Sequence, residues 1–206
     1  MKILNLYAGI GGNRWIWGEQ HDITAVELNP ETARIYQHFN PDDTVIVGDA
    51  HQYLLDHYSE FDFIWSSPPC PSHSKLNIPL HRRGYIRYPD MTLYQEIIFL
   101  KQWGRDLKWV IENVEPYYKP LIHAQLIIER HLLWANFDIA PLTLPPLGDL
   151  MNPPWRGLQK LIGIELPATS ATPFEKRLML RDITRPEIGM HILKAAMRET
   201  KQEILL

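Results

Sequence analysis

The chain has 206 residues, long enough for one domain with a sizeable hydrophobic core. Its 45% apolar and 22% charged content excludes global disorder, and a formal net charge of -3 excludes a protein that coats nucleic acid through bulk positive charge, though not a local basic patch. One cysteine excludes an intrachain disulfide framework and a cysteine-rich zinc site, so no metal is expected and the thiol stays free.

Met1-Lys2 leads directly into a strand-like run with no apolar leader, and no stretch reaches the roughly 18 apolar residues of a membrane span, so the expectation is a cytosolic protein. Residues 2–8 read as a buried strand followed at once by Gly9-Ile10-Gly11-Gly12 and a helical run over residues 13–19. Strand, glycine turn and helix form the entry to a dinucleotide-type fold: glycine permits a tight turn close to a ligand, and a helix N-terminus offers unpaired N–H groups. Residues 22–27 are a second strand ending in Glu27, near the ~20-residue spacing from the glycine turn at which a carboxylate accepts from ribose hydroxyls. Asn29-Pro30 then starts a helix running to Phe39. Residues 44–47 form a third, β-branched strand with Asp49 just beyond it, which either accepts from an adenine amino group or caps the helix predicted over residues 50–58.

Residues 61–65 form an apolar strand that runs into Ser66-Ser67-Pro68-Pro69-Cys70-Pro71. Prolines on both sides of the thiol fix φ and remove backbone donors, which presents Cys70 in a set direction, as a nucleophile requires. Residues 75–88 follow, carrying Lys75, Arg82, Arg83 and Arg87 without an acid and interleaved with Tyr85 and Tyr88, a pattern suited to phosphates and to stacking on bases. Apolar periodicity predicts a helix over residues 91–105, a fifth strand over 107–111 ending in Glu112-Asn113-Val114, short helix or irregular chain over 123–130, and a sixth strand over 130–137. Residues 140–172 show no firm period, 173–181 and 187–198 look helical, and the last residues read as a frayed tail. A glycine turn, acids and a thiol at successive strand ends converge on one crevice, because open α/β sheets bind ligands outside the carboxyl ends of their strands. A thiolate there adds to an electron-poor pyrimidine while a carboxyl group protonates the ring nitrogen.

Asn5-Leu6-Tyr7-Ala8-Gly9-Ile10-Gly11-Gly12, Glu27, Gly48-Asp49, Pro68-Pro69-Cys70-Pro71 and Glu112-Asn113-Val114, in that order, resemble the motif series of cytosine-5 DNA methyltransferases. Residues 181–189 are similar to that family's last motif, so the resemblance covers most of the chain. It implies a Rossmann-like α/β fold with a mostly parallel sheet and helices on both faces, S-adenosylmethionine as cofactor, and double-stranded DNA as partner. It also implies methyl transfer to carbon 5 of a flipped cytosine through a Cys70 adduct. By position it assigns Cys70, Glu112, Arg130, Asn113 and Ser74 to catalysis. Tyr7, Ala8, Gly9, Ile10, Gly11, Gly12, Glu27, Leu28, Asp49, Ala50, Pro69 and Asp182 fall to the cofactor, and Lys75, Arg82, Arg83, Tyr85 and Arg87 to DNA. A catalytic domain over residues 1–137 and 175–206 would enclose a short target-recognition insertion at 138–174. The chain has Asp182 where the family has asparagine, Thr184 where it has an apolar residue, and Cys70-Pro71 where many members have Cys-Gln. The resemblance is to a compact, phage-type or restriction-associated member in bacterial or phage-infected cytosol. A tRNA cytosine-5 methyltransferase and a catalytically weak paralogue that binds DNA or a partner subunit are the alternatives.

Overall fold

The structure is a computed structural model that describes the backbone of residues 1–202 and the side chains of residues 1–198; the tail expected at the end of the chain falls largely outside the described residues. Seven strands form one sheet in the order β3-β2-β1-β4-β5-β7-β6, from β1 (Lys2–Leu6), β2 (Asp22–Glu27), β3 (Thr44–Val47), β4 (Phe63–Ser66), β5 (Lys108–Val114), β6 (Leu126–Ile128) and β7 (His131–Ala135). β3, β2, β1, β4 and β5 are parallel, whereas β7 runs antiparallel to β5 and to β6. The mostly parallel α/β architecture expected from the sequence is therefore the one observed.

The alternation of side chains along each strand divides the core into two layers. Ile3, Phe63, Trp65, Val110 and Leu133 face helix α7 (Pro186–Gln202), meeting Ile188, Ile192, Leu193 and Ala196. Leu4, Leu6, Ile64, Trp109 and Ile111 face the opposite way, onto α2 (Ala50–His57) and α4 (Thr92–Trp103) through Leu54, Leu93, Ile97 and Leu100. Central strands buried on both faces carry near-continuous apolar runs, as β1 and β4 do. Asn29 caps α1 (Pro30–Phe39), its Oδ1 accepting from the N–H groups of Glu31 and Thr32, with proline at the first turn.

The helix expected over residues 13–19 is absent, and that stretch is a run of turns. Gly11, Arg14 and Trp17 donate to the carbonyls three residues back, and Gly9, Gly11 and Gly18 have positive φ. Tertiary packing overrides the helical pattern: Gly189 of α7 sits so close to Asn13 that a Cβ there would lie 1.9 Å from the Asn13 carbonyl oxygen. Asn13 is tied to Asn5 of β1, while Arg14 makes a two-pronged buried pair with Asp43, which also accepts from Tyr36 of α1. These bonds fasten the glycine segment to both its neighbours.

Further along, residues 126–128 are an edge strand rather than the expected helix or irregular chain, and the sixth predicted strand is confined to β7. Arg130 lies in the β6–β7 turn, next to Glu129 at φ 55. The region without period contains α5 (Trp155–Ile162), which packs against α6 (Pro173–Arg181) through an apolar cluster centred on Leu158, Leu166 and Leu180. Only two turns long, α5 is too short for its periodicity to stand out among the surrounding prolines.

Candidate active site

The sheet order reverses between β1 and β4, which is where an open α/β sheet leaves a crevice at the carboxyl ends of its strands. Gly9 lines it at φ 55 with open space where a Cβ would stand, whereas Gly11 and Gly12 are closed in by Tyr36, Asn40 and Ile183. Tyr7 turns out of β1 at φ 54, a conformation rare for a residue with a side chain. Its hydroxyl donates to Glu96 Oε1 at 2.6 Å, and the fully buried Glu96 of α4 also accepts from Ser66 at 2.6 Å and meets His51 Nδ1 at 3.1 Å. A single buried carboxylate thus links the ends of β1 and β4 to α2 and α4. Burial and the Glu96 charge push the Tyr7 phenol far above its ordinary value, and the Glu96 hydrogen bond raises His51.

Glu27 stands at the end of β2 as expected, its Oε2 accepting from the Gly9 N–H at 3.0 Å and its Oε1 from the Asn29 N–H at 2.9 Å. These two bonds fix the position of the carboxylate next to Leu28, which is 71% exposed. Ala8 donates its N–H to Val26, while Ile10 is buried in the α1 and α6 packing cluster. Asp49 is a helix cap: one oxygen accepts from the N–H groups of His51 and Gln52 and starts α2 directly behind Ala50, so an adenine contact would have to share that carboxylate.

Across the crevice, β4 delivers the proline-braced loop. The Cys70 carbonyl accepts from the N–H groups of His73 and Ser74, turning the chain back. The Asn113 side chain, buried in β5, donates to the Pro68 carbonyl at 2.8 Å and anchors the loop. Ser74 pairs with Pro116 and its hydroxyl caps a single 3-10 turn (Lys75–Asn77). Pro69 is exposed.

Glu112 lies inside β5 rather than after it, opposite Leu133 of β7, with His131 opposite Val114. His131 Nδ1 is 2.5 Å from Glu112 Oε1, and both residues are buried. Burial alone would raise the Glu112 carboxyl, but His131, Ser67 and Arg130 outweigh it and hold the group below the usual carboxylate range. Arg130 reaches the same corner: its Nε points at His131 Nε2 at 3.4 Å and its Nη2 donates to the Arg181 carbonyl at 2.5 Å. Asp182 ends α6 within the fields of Arg130 and Glu112, and Ile183 and Thr184 beyond it press on Gly12. The half-buried Cys70 thiol is pushed up to about 12, first by burial and then by the charges of Asp182 and Glu112, with Arg130 opposing. Cys70, Glu112, Arg130 and Asp182 therefore share one electrostatic environment, although 42 and more residues separate the first from the others in sequence.

The basic stretch is a short helix, α3 (Ile78–His81), flanked by exposed chain. Lys75 is not uncompensated as expected, since its Nζ meets Glu115 Oε2 at 2.7 Å, and Arg87 donates to the Pro71 carbonyl. Arg82 and Arg83 lie on the outer side, while Tyr85 and Tyr88 are 71% and 78% exposed. His131, Glu96, His51 and Ser66 escape a reading of the sequence because each acts through a partner on a distant element. Among the described residues no cluster of histidine, cysteine and carboxylate side chains could hold a metal, and no helix is long and apolar enough to cross a membrane.

No curated protein matches this chain. Among solved structures, the Entamoeba histolytica methyltransferase EhMeth covers 97% of this chain and 98% of its own at 10% identity and a TM-score of 0.59, a likeness of fold. A Spodoptera frugiperda DNMT2 mutant is 26% identical over 55% of this chain and 35% of its own, with a TM-score of 0.39, and a SAM-dependent methyltransferase from Agrobacterium tumefaciens is 13% identical over 57% and 40%, with a TM-score of 0.42. This chain thus spans about a third of the DNMT2 length. The model of the C-5 cytosine-specific DNA methylase family matches residues 1–115, more than half of the chain, and includes the glycine turn, Glu27, the cysteine loop and Glu112. The chain belongs to the C-5 cytosine-specific DNA methylase family.

Proposed function

We propose that this protein methylates carbon 5 of cytosine in DNA through a covalent adduct on Cys70. The observation that carries the reading is the convergence of Cys70, Glu112 and Arg130 on one crevice beside the open face of Gly9 and the backbone-held Glu27 carboxylate. The family's methyl donor, S-adenosylmethionine, fits those residues: open space over Gly9, a fixed carboxylate for ribose hydroxyls, and the exposed Leu28 for an adenine face. When bound it supplies an electrophilic methyl group on a sulfonium.

The chain's own residues do the rest. The target base must leave the duplex, because its ring carbons are unreachable in the stack. The Cys70 thiol gives its proton to solvent water as its sulfur bonds to carbon 6, Glu112 passes a proton to ring nitrogen 3, and the ring electrons gather at carbon 5, which becomes the nucleophile. Once carbon 5 carries the methyl group, loss of its proton re-forms the carbon 5–carbon 6 double bond and returns the sulfur electrons to Cys70. Arg130 contacts the base carbonyl. Arg82, Arg83, Tyr85 and Arg87 lie against phosphates and bases, and residues 138–174, with α5, supply what target recognition the chain has.

The test is transfer of labelled methyl from S-adenosylmethionine to mixed-sequence duplex DNA, with modified sites mapped. Transfer that vanishes in Cys70→Ser, and trapping of the protein on duplex containing 5-fluorocytosine, support the reading. Transfer to tRNA and not to DNA would replace the substrate, and cofactor binding without transfer to either would make the protein a binding subunit.

A further inference from the structure

His131 is buried against the acid of this site, yet the reaction above gives it no part. Glu112, His131 and Arg130 form a chain in which His131 Nδ1 is 2.5 Å from Glu112 Oε1 and Arg130 Nε is 3.4 Å from His131 Nε2. A guanidinium can only donate, so His131 Nε2 accepts and the ring hydrogen sits on Nδ1, pointing at Glu112. Both ends are enclosed: Glu112 is 6% exposed and His131 3%. In this arrangement Glu112 is a carboxylate with no proton to give, in keeping with the neighbours that hold it low. Nitrogen 3 of cytosine is itself an acceptor, so the methyl-transfer reaction requires a proton to enter the pair.

We propose that His131 is the positioning residue that charges Glu112, relaying a proton from its Nε2 side to the carboxylate that faces the base. This rests on the methyl-transfer reading of the site. A base whose carbonyl engages Arg130 draws the guanidinium off Nε2. A solvent hydronium ion, reaching the space Arg130 leaves, then gives one proton to Nε2 and departs as water, the Nδ1 hydrogen crosses to Glu112 Oε1, and the carboxyl group passes one proton to nitrogen 3. The imidazole ends neutral with its hydrogen on Nε2, and Glu112 ends as a carboxylate. When carbon 5 loses its proton and Cys70 is expelled, the nitrogen 3 proton retraces the route. In the substrate-free protein the Arg130 bond keeps the relay empty, which couples proton entry to the arrival of a base. The charged and titratable groups around the pair are Arg130 on its own turn, Arg181 and Asp182 at the end of α6, and Cys70 on the β4 loop, with the Ser67 hydroxyl on Glu112.

Two measurements test this. Histidine nitrogen NMR of the full chain without DNA is expected to show neutral His131 with hydrogen on Nδ1; hydrogen on Nε2 overturns the relay. Adduct formation on 5-fluorocytosine duplex is then followed against pH in wild type and His131→Asn, which retains a donor toward Glu112 but cannot titrate. The basic limb of the profile is expected to move to the acid side, with the rate at pH 7.5 falling about tenfold or more, the low end of a lost acid–base contribution. In a Glu112→Gln background the same change is expected to add nothing. An unmoved midpoint with a uniformly lower rate makes His131 a packing residue and overturns the proposal. Should wild type form no adduct on DNA, the methyl-transfer reading falls, and the nitrogen spectrum alone decides the pairing of His131 with Glu112. If His131→Asn fails to fold, that spectrum, taken on wild type, still decides between the two ring forms.

Discussion

The environment of the Cys70 thiol works against its acting as a nucleophile. Cys70 rises from an ordinary 9.0 to about 12. Three units reduce the thiolate available at pH 8 by about a thousandfold relative to an unperturbed cysteine. Burial is the main cause and the Asp182 charge the next. Asp182 is exposed, so solvent and salt screen its field, and Asp182→Asn is expected to recover about three- to tenfold rather than the full loss. The assay is the rate of iodoacetamide alkylation at pH 8 by mass spectrometry, unambiguous because the chain has one cysteine. Wild type should react far more slowly than a free thiol, Asp182→Asn faster, and the gain should shrink as salt is added. Arg130→Ala should slow the reaction further, since the Arg130 charge opposes the rise. Alkylation of wild type at the free-thiol rate, or an Asp182→Asn rate equal to wild type at low salt, would refute this account of the thiol.

Three other perturbations probe what holds the crevice. Gly189→Ala drives a methyl group into the Asn13 carbonyl, a backbone neighbour that cannot yield without moving the glycine segment. The expected loss is about 1–3 kcal/mol, read as a lower Tm in thermal unfolding. Asp43→Ala strands the Arg14 guanidinium, whose residue is 7% exposed, and is expected to cost about 3–5 kcal/mol in denaturant unfolding. His51 is raised above its ordinary 6.5 by the Glu96 hydrogen bond. A raised folded value contributes stability fully present below 6.5 and lost as pH climbs through the raised value, so Tm should decline over that window and decline less in His51→Gln.

Much of the parallel half of the sheet could be read from the chain because its determinants are local. β2, β3 and α6 begin and end where apolar runs meet turn residues or caps, and the Thr172–Glu175 capping box fixes the start of α6 within four residues. What escaped was decided at a distance. Residues 13–19 carry a helical pattern, yet Gly189 of α7 occupies the space beside Asn13, a contact across more than 170 residues that no window could report. The β6 strand is three residues long and exists because β7 offers it an edge. Pairing of that kind is a property of the partner as much as of the segment.

The same division runs through the site, and it explains why the acid was found and its neighbour was not. Cys70 announces itself by prolines and Glu112 by its place at a strand end, signals that lie within a few residues of each. His131 has none: it follows an arginine in a turn and precedes an apolar strand, and in sequence it is a histidine that faces a core. Its place is set by β7 running antiparallel to β5, which brings His131 opposite Val114 and two residues from the Glu112 register position. Side chains two apart on adjoining strands lie on one face and within reach of each other, so the reversed strand alone closes the contact at 2.5 Å. Had β7 been parallel, its start would stand at the other end of β5 and Glu112 would lose the His131 partner while its burial still pushed the carboxyl upward. The antiparallel strand therefore supplies, in His131, the partner that together with Ser67 and Arg130 holds the Glu112 carboxyl low.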